Sequence, residues 1–444
     1  MQHKNKFILL IILTIVSLSL ISCAGKSVVT NLPINSTNTP SPNNTPTVIV
    51  SLTPAVSTPE IIPSPTEIFF SVPEGRILFE AYNKKEGLNY SVIKVHDMKN
   101  DEAVQIIEYG QEVDGQIVNL IHPSLTWSPD GHWVAFVGTD IRSDVWIYGY
   151  QDIFVAKADG TELHRLTYSP EYDKHYLSWS PDGNSLLVAM GINQQSDLYL
   201  VGAKNGEILQ RFTSSGKVFM GTWSPDGKKI AYGDDSKLFI MNADGTTSTL
   251  VSKTPINLYV GGISWSSNGY QISFTSSEDN SGCDNVYVNN IITGETTRLT
   301  SLNQAHNSPV WSPDGKYLAF TRATYDCKAG VGEGFWDVYI SNLMGDEQKI
   351  ISNASFWTSI SWAPVPSLEI GKQYAITELG ANLNLRVEPS MNGKILEKLP
   401  IGDVVTVLEG FVDANDYYWW KIRTQDGTEG WAVEMANWYA PLTE

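Results

Sequence analysis

The chain has 444 residues, 42% of them hydrophobic and 18% charged, with 48 Asp and Glu against 30 Lys and Arg and a formal net charge of −18. So acidic a balance excludes a nucleic-acid partner, because phosphate binding needs clustered cations. It fits an exported, soluble surface.

The opening residues, MQHKNKFILLIILTIVSLSLISC, place Lys4 and Lys6 ahead of an uncharged, largely apolar stretch from Phe7 to about Ile21. The stretch is short for a membrane span, which needs about 20 apolar residues. It fits a secretory signal over residues 1–22. Leu20-Ile21-Ser22-Cys23 resembles the lipobox of bacterial lipoproteins. That resemblance implies cleavage before Cys23 and lipid on Cys23, so that the chain is exported and held to a membrane from its extracytoplasmic side. The competing reading is an uncleaved transmembrane anchor with an incidental cysteine. Removal of Lys4 and Lys6 with the signal takes the net charge from −18 to −20.

Residues 23–72 are dominated by Pro, Ser, Thr and Asn, with charge only at Lys26, Glu60 and Glu67. Such a tract cannot bury a core and is expected to be an extended tether. In a polyproline conformation of about 3.1 Å per residue it reaches well over ~100 Å, and as a random coil about 40 Å.

Trp-Ser-Pro-Asp-Gly follows, at Trp127, Trp179, Trp223 and Trp311, with the variant WSSNG at Trp265 and a decayed WAPVP at Trp362. The intervals are 52, 44, 42, 46 and 51 residues, a period that marks a stacked or closed repeat. Within each word the Pro presets φ for a turn, the Asp suits its third position and the Gly tolerates positive φ. Alternation follows, as in Ile230 and Tyr232 against Lys229 and Ala231, so each word reads as a hairpin. A second word comes next, for example IFVAKADGTELHRLT from Ile153 or VYISNLMGDEQKIIS from Val338, and reads as strand, Gly turn, strand. Four antiparallel strands per repeat make a propeller blade. The tryptophans are expected to be core residues between neighbouring units rather than ligand contacts.

These repeats resemble the TolB-type, WD40-like propeller family over roughly residues 75–365. The resemblance implies that the Trp strand is innermost in its blade. Counting gives six blades over residues 73–366. GRILFEA at Gly75 lacks a preceding Trp strand, SISWAPV at Ser359 lacks anything after it, and together they complete one blade. Closure by the strand around Trp362 beside that around Leu78 would remove exposed edges.

Residues 373–440 form a second unit of short alternating strands, expected to be a small β-barrel. Leu383-Asn384-Leu385-Arg386, Gly402-Asp403, Trp419 to Ile422 and Gly430-Trp431-Ala432-Val433 resemble the bacterial SH3-like domain. The resemblance implies an extracytoplasmic protein that binds a cell-wall component such as peptidoglycan, or another ligand, and it does not carry the ligand itself over. The fold class is therefore all-β, a six-bladed propeller followed by an SH3-like barrel.

Little in the sequence carries catalysis. There is no Gly-x-Ser-x-Gly elbow and no His-Glu-x-x-His helix. His122, His132, His164, His175 and His306 are scattered, so no metal or cofactor is expected. AGVGEGF at Ala329 lies between strands and reads as a flexible loop. SEDNSGCDN at Ser277 offers Asp279, Ser281 and Asp284 but lacks the terminal Glu of a calcium loop. Cys283 and Cys327 fall in corresponding loops of adjacent blades and form a candidate disulfide, with two free thiols as the alternative.

The short turns fall on one face and the long connections on the other. Trp146, Tyr148, Tyr150, Tyr325, Phe335 and Trp336 lie in those long connections. With Tyr417, Trp419 and Trp431 of the SH3-like unit they are the candidate contacts for a protein or glycan partner, unless they only pack their own loops. The leading expectation is a non-catalytic, lipid-anchored docking protein. The rival is a carbohydrate-active enzyme using two of Asp140, Asp144, Asp152, Glu278, Asp279 and Glu333. A third reading is a sensor of a small ligand in the central channel.

Overall fold

A computed structural model of the chain describes residues 75–442 except 86–87, 109, 115, 121–123, 141–150, 170, 253, 257–261, 278–282, 301–302, 328–334, 355–358, 365–367, 415–416 and 436–437. The lipidation candidate Cys23, the tether and the aromatics Trp146, Tyr148 and Tyr150 lie outside the described residues. All regular structure among the described residues is β. Each Trp word ends a short strand, and four-stranded sheets follow in chain order, such as Asp173–Trp179, Ser185–Ile192, Gln195–Gly202 and Ile208–Arg211. The arrangement is propeller-like. The strand Ile360–Trp362 pairs with Arg76–Lys85 through Ile77↔Trp362, Leu78↔Ser361 and Phe79↔Ile360, which joins the end of the repeat region to its beginning.

The tight turns have one chemistry. In every complete word the Gly N–H donates to the Ser carbonyl at 2.9 Å. In the Trp223 word the Ser224 hydroxyl donates to Asp226 at 2.6 Å. Asp226 also accepts from the Lys228 N–H, and Ser224 Oγ from the Lys229 N–H. Asn268 replaces the carboxylate in the Trp265 word without loss of the pattern. Gly227 sits at φ +69°, where a Cβ would strain the backbone. At Asp182 burial opposes ionisation, yet the hydrogen bonds from Ser180 and Asn184 hold its carboxyl below the ordinary value.

The strand after each turn is buried on both faces. Ile230, Ala231 and Tyr232 are all buried, so the alternation seen in the sequence does not separate core from solvent. It separates two cores. Leu186 and Val188 belong to one hydrophobic cluster, Leu187 and Ala189 to the next. Ile77 and Phe79 face one neighbour, Leu78 the other. A sheet pressed between two others buries both sides, each full burial of Leu, Ile or Phe contributing about 1.5–3 kcal/mol.

Beyond Leu368 a seven-stranded sheet runs in the order Ile395–Leu399, Leu383–Arg386, Glu429–Glu434, Tyr417–Thr424, Val404–Ala414, Gln373–Ile376, Tyr439–Pro441. It encloses its own core around Trp419, Leu385, Val405, Val407 and Ile422. Gly430 is required there, since a Cβ would stand 2.7 Å from the Arg386 carbonyl oxygen.

Replacing Asp226 with Ala removes the acceptor of two hydrogen bonds in one turn. The expected cost is about 1 kcal/mol, read as a fall of about 2–4 °C in the thermal midpoint of the purified protein.

Candidate functional site

The inner strands converge where the tryptophans stand. Trp127, Trp179, Trp223, Trp265, Trp311 and Trp362 line one cavity of about 310 Å³ on the turn side, and Tyr418, Glu434 and Met435 of the SH3-like unit line it too. Four of the six rings are buried and Trp179 and Trp223 are half-buried. They are core residues and cavity wall at once. Neighbouring strands are stitched together by the same words. The Trp127 indole N–H donates to the Ser361 carbonyl at 3.2 Å, and that of Trp265 to Thr222 at 3.3 Å. Hydroxyls one residue before the tryptophans accept from the next strand, as Ser264 does from the Trp311 N–H at 3.2 Å.

Tyr176 ties two inner strands together. It leaves Asp173–Trp179, passes the intervening strand Val218–Trp223 and donates to the Ile263 carbonyl at 3.1 Å. Burial pushes its hydroxyl up to about 12, so it remains a donor. On the SH3-like side the Arg76 guanidinium lies 4.9 Å over the Trp127 ring and donates to Gly131 and to the Tyr418 hydroxyl, at 2.9 and 3.2 Å. Glu434 accepts from the Trp420 indole at 2.6 Å.

The nine candidate aromatics divide. Trp336 begins the strand Trp336–Asn342 and is 2% exposed, packed on Ala305 and Ala323. Trp419 is 0% exposed and donates to the Ala414 carbonyl at 2.8 Å. Neither can meet a partner, and both are corrected to core residues, because a strand sandwiched on both faces hides its rings. Tyr325 is half-buried against Trp336, and burial raises its hydroxyl pKa. Phe335 is exposed. Tyr417 and Trp431 are half-buried against the SH3-like core. Cys283 and Cys327 are joined in a disulfide with Cα atoms 5.5 Å apart. Closing a loop of that separation is worth about 4 kcal/mol in the chain-entropy account.

Asp152, one of the rival enzyme's carboxylates, is also corrected. It is 1% exposed in the strand Gln151–Lys157, pairs with Arg165, and lies 3.3 Å from Lys174 Nζ. Thr167 donates to it at 2.7 Å. Burial lowers the Lys174 pKa against the pull of Asp152. The arrangement recurs one sheet on, where Arg211 and Thr213 hold Asp197 at 2.7 and 2.8 Å. The sequence carried a signal for it, the repeated Arg-Leu-Thr and Arg-Phe-Thr at Arg165, Arg211 and Arg298. Asp144, Glu278, Asp279, Ser281 and Glu333 lie outside the described residues, as does AGVGEGF apart from Phe335. Asp140 closes the strand Trp133–Asp140. Among the described residues no group of three or more His, Cys, Asp or Glu could hold a metal ion.

His306 is fully buried, 5.5 Å from the Phe320 ring and 4.0 Å from Glu347. Desolvation, with the Arg322 guanidinium adding to it, pushes its imidazole down to about 3 from 6.5.

Residues 381–439 match the bacterial SH3 domain family. Over 262 residues the chain is 23% identical to the Tol-Pal system protein TolB of Francisella tularensis subsp. mediasiatica, which covers 55% of this chain and 59% of that protein. Over 217 residues it is 26% identical to the uncharacterized peptidase YuxL of Bacillus subtilis, covering 46% of this chain and 30% of that protein. The chain thus spans less than two thirds of the length of either relative. Its fold is similar to the crystal structure of TolB from Acinetobacter baumannii, with a TM-score of 0.50 at 18% identity over 66% of this chain and 67% of that one. The chain therefore joins a TolB-like propeller fold to a bacterial SH3 domain.

Two expectations follow. Asp152→Ala leaves Arg165 and Lys174 buried without their counter-charge and is expected to cost about 3–5 kcal/mol, read from the urea midpoint. His306 stays neutral in the folded chain while its unfolded counterpart titrates near 6.5. Below that pH the unfolded chain binds a proton that the folded chain refuses. Stability should therefore fall as pH drops from about 6.5 towards 3, by roughly 2 kcal/mol between pH 7 and 5. In His306→Leu that part of the slope should vanish.

Proposed function

We propose that this chain is a non-catalytic, lipid-anchored extracytoplasmic docking protein. Residues 1–22 are its signal, 23–72 its tether from a lipid on Cys23, 73–366 a six-bladed propeller that receives a protein or glycan partner, and 373–440 an SH3-like barrel that contacts peptidoglycan. The observation that carries the reading is the union of a TolB-like fold with a bacterial SH3 domain in one chain. Six tryptophan-ended inner strands and the pairing of Ile77–Phe79 with Ile360–Trp362 support six blades. The Cys283–Cys327 bridge supports an oxidising compartment. The naming of the Francisella relative as a Tol-Pal system protein supports a protein partner for the propeller. Phe335, which is exposed, and the half-buried Tyr325, Tyr417 and Trp431 are the described candidates left for a contact.

The commitment of Asp152 to Arg165 and Lys174 takes one carboxylate away from the catalytic reading and so supports binding. The test is sedimentation with purified peptidoglycan. The chain from Ala24 onward should pellet with the wall material, and the same chain ending at Pro364 should stay in solution. Equal pelleting of the two would overturn the wall contact.

A further inference from the structure

The propeller and the SH3-like domain do not share a core. Among the described residues none beyond Ala363 enters a hydrophobic cluster of the propeller, and the cluster of the SH3-like domain begins at Leu368. They meet instead at three successive turns, those after Trp127, Trp179 and Trp223. The Tyr418 ring stands 4.7 Å from His132. Met435 Cε would lie 3.4 Å from a Cβ on Gly183, and Leu379 Cδ2 3.5 Å from one on Gly227. Lys228 pairs with Glu378 at 2.8 Å, with both side chains more than half exposed, at 61% and 68%. The contact is made of glycine surfaces, the tilted His132–Tyr418 ring pair, one hydrogen bond from Arg76 to the Tyr418 hydroxyl and a solvent-washed ion pair.

The same domain overlies the tryptophan cavity, whose wall includes Tyr418 and Met435. A group seeking the tryptophans from the turn side meets the SH3-like domain first.

We infer that the SH3-like domain is a releasable cap on the propeller: docked, it lies over the tryptophan-walled cavity, and released, it uncovers it. Release does not require unfolding, because each part keeps its own core. An exposed ion pair is worth little and weakens with salt, and polar contacts between domains of one chain permit relative motion. The inference goes beyond the docking role proposed above and is independent of whether the SH3-like domain binds peptidoglycan.

Hydrogen exchange on the whole chain tests it. The turns Ser180–Gly183 and Ser224–Gly227 touch the SH3-like domain, whereas the glycines of Ser266–Gly269 and Ser312–Gly315 meet only the preceding turn. Amides of the first two turns should exchange more slowly than those of the second two, and added salt should narrow the difference. Lys228→Glu combined with Tyr418→Ala should speed exchange at the first two by about fivefold and leave the second two unchanged. Combining Lys228→Glu with Glu378→Lys should restore the slow rate. Equal exchange at the two sets of turns in the unaltered protein would overturn the cap. So would a folded Lys228→Glu, Tyr418→Ala protein whose turns exchange as before. If that protein does not fold, the comparison within the unaltered chain decides alone.

Discussion

Three residue pairs hold the two ends of the repeat region together: Ile77 with Trp362, Leu78 with Ser361 and Phe79 with Ile360. Every other sheet depends on this seam. A strand whose two faces are both apolar must be covered on both, and each sheet is covered by its neighbours in turn. Leu78 completes the cluster that holds Val134 and Phe136, while Ile77 and Phe79 complete the one that holds Ala319, Val338 and Ile340. Without the seam two apolar faces and a strand edge would open to water together.

Closure also explains the polar detail. Because the inner strands converge, the residues before each tryptophan come within hydrogen-bond reach of the next strand, and hydroxyls are favoured there. Ser361 and Ser264 use them in this way, and Ser178 meets Thr222 at 3.3 Å. Farther out, where sheets diverge, backbone ends are tied by carboxylates instead. Asp197 accepts from Arg211, Thr213 and the Gly216 N–H, and so fastens the outer strand to the one before it. Burying such a carboxylate is tolerable only because every neighbour is a donor.

The repeats were legible because their chemistry is local. Ser224, Asp226 and Gly227 define their turn within four residues, and the same letters recur wherever the turn recurs. The pairing of Leu78 with Ser361 was legible by counting, since two incomplete units implied each other. Asp152 was legible only in part. The repeated Arg-Leu-Thr at Arg165 goes with it, but its partner Lys174 comes from the next inner strand and no local word announces it. Trp336 and Trp419 were misjudged because an aromatic beside a loop and one at the start of a buried strand look alike until both faces of the sheet are known. The contact between the two domains was not legible, since it joins the surfaces of Gly183 and Gly227, which their turns already require, to single side chains such as His132 and Lys228 whose partners lie far along the chain.

The seam has a mechanical side. Ile77 and Trp362 face each other in antiparallel strands, so the chain enters and leaves the seam at the same end, where the Ala363 N–H donates to the Arg76 carbonyl at 2.8 Å. Tension applied between the segments flanking those residues would not shear all the pairs at once. It would peel them singly, like a zip, starting from Arg76 and Ala363. The guanidinium of Arg76, clamped to Gly131 and Tyr418, sits at the point where that tearing would begin. Its hydrogen bonds would be among the first that such tearing has to break.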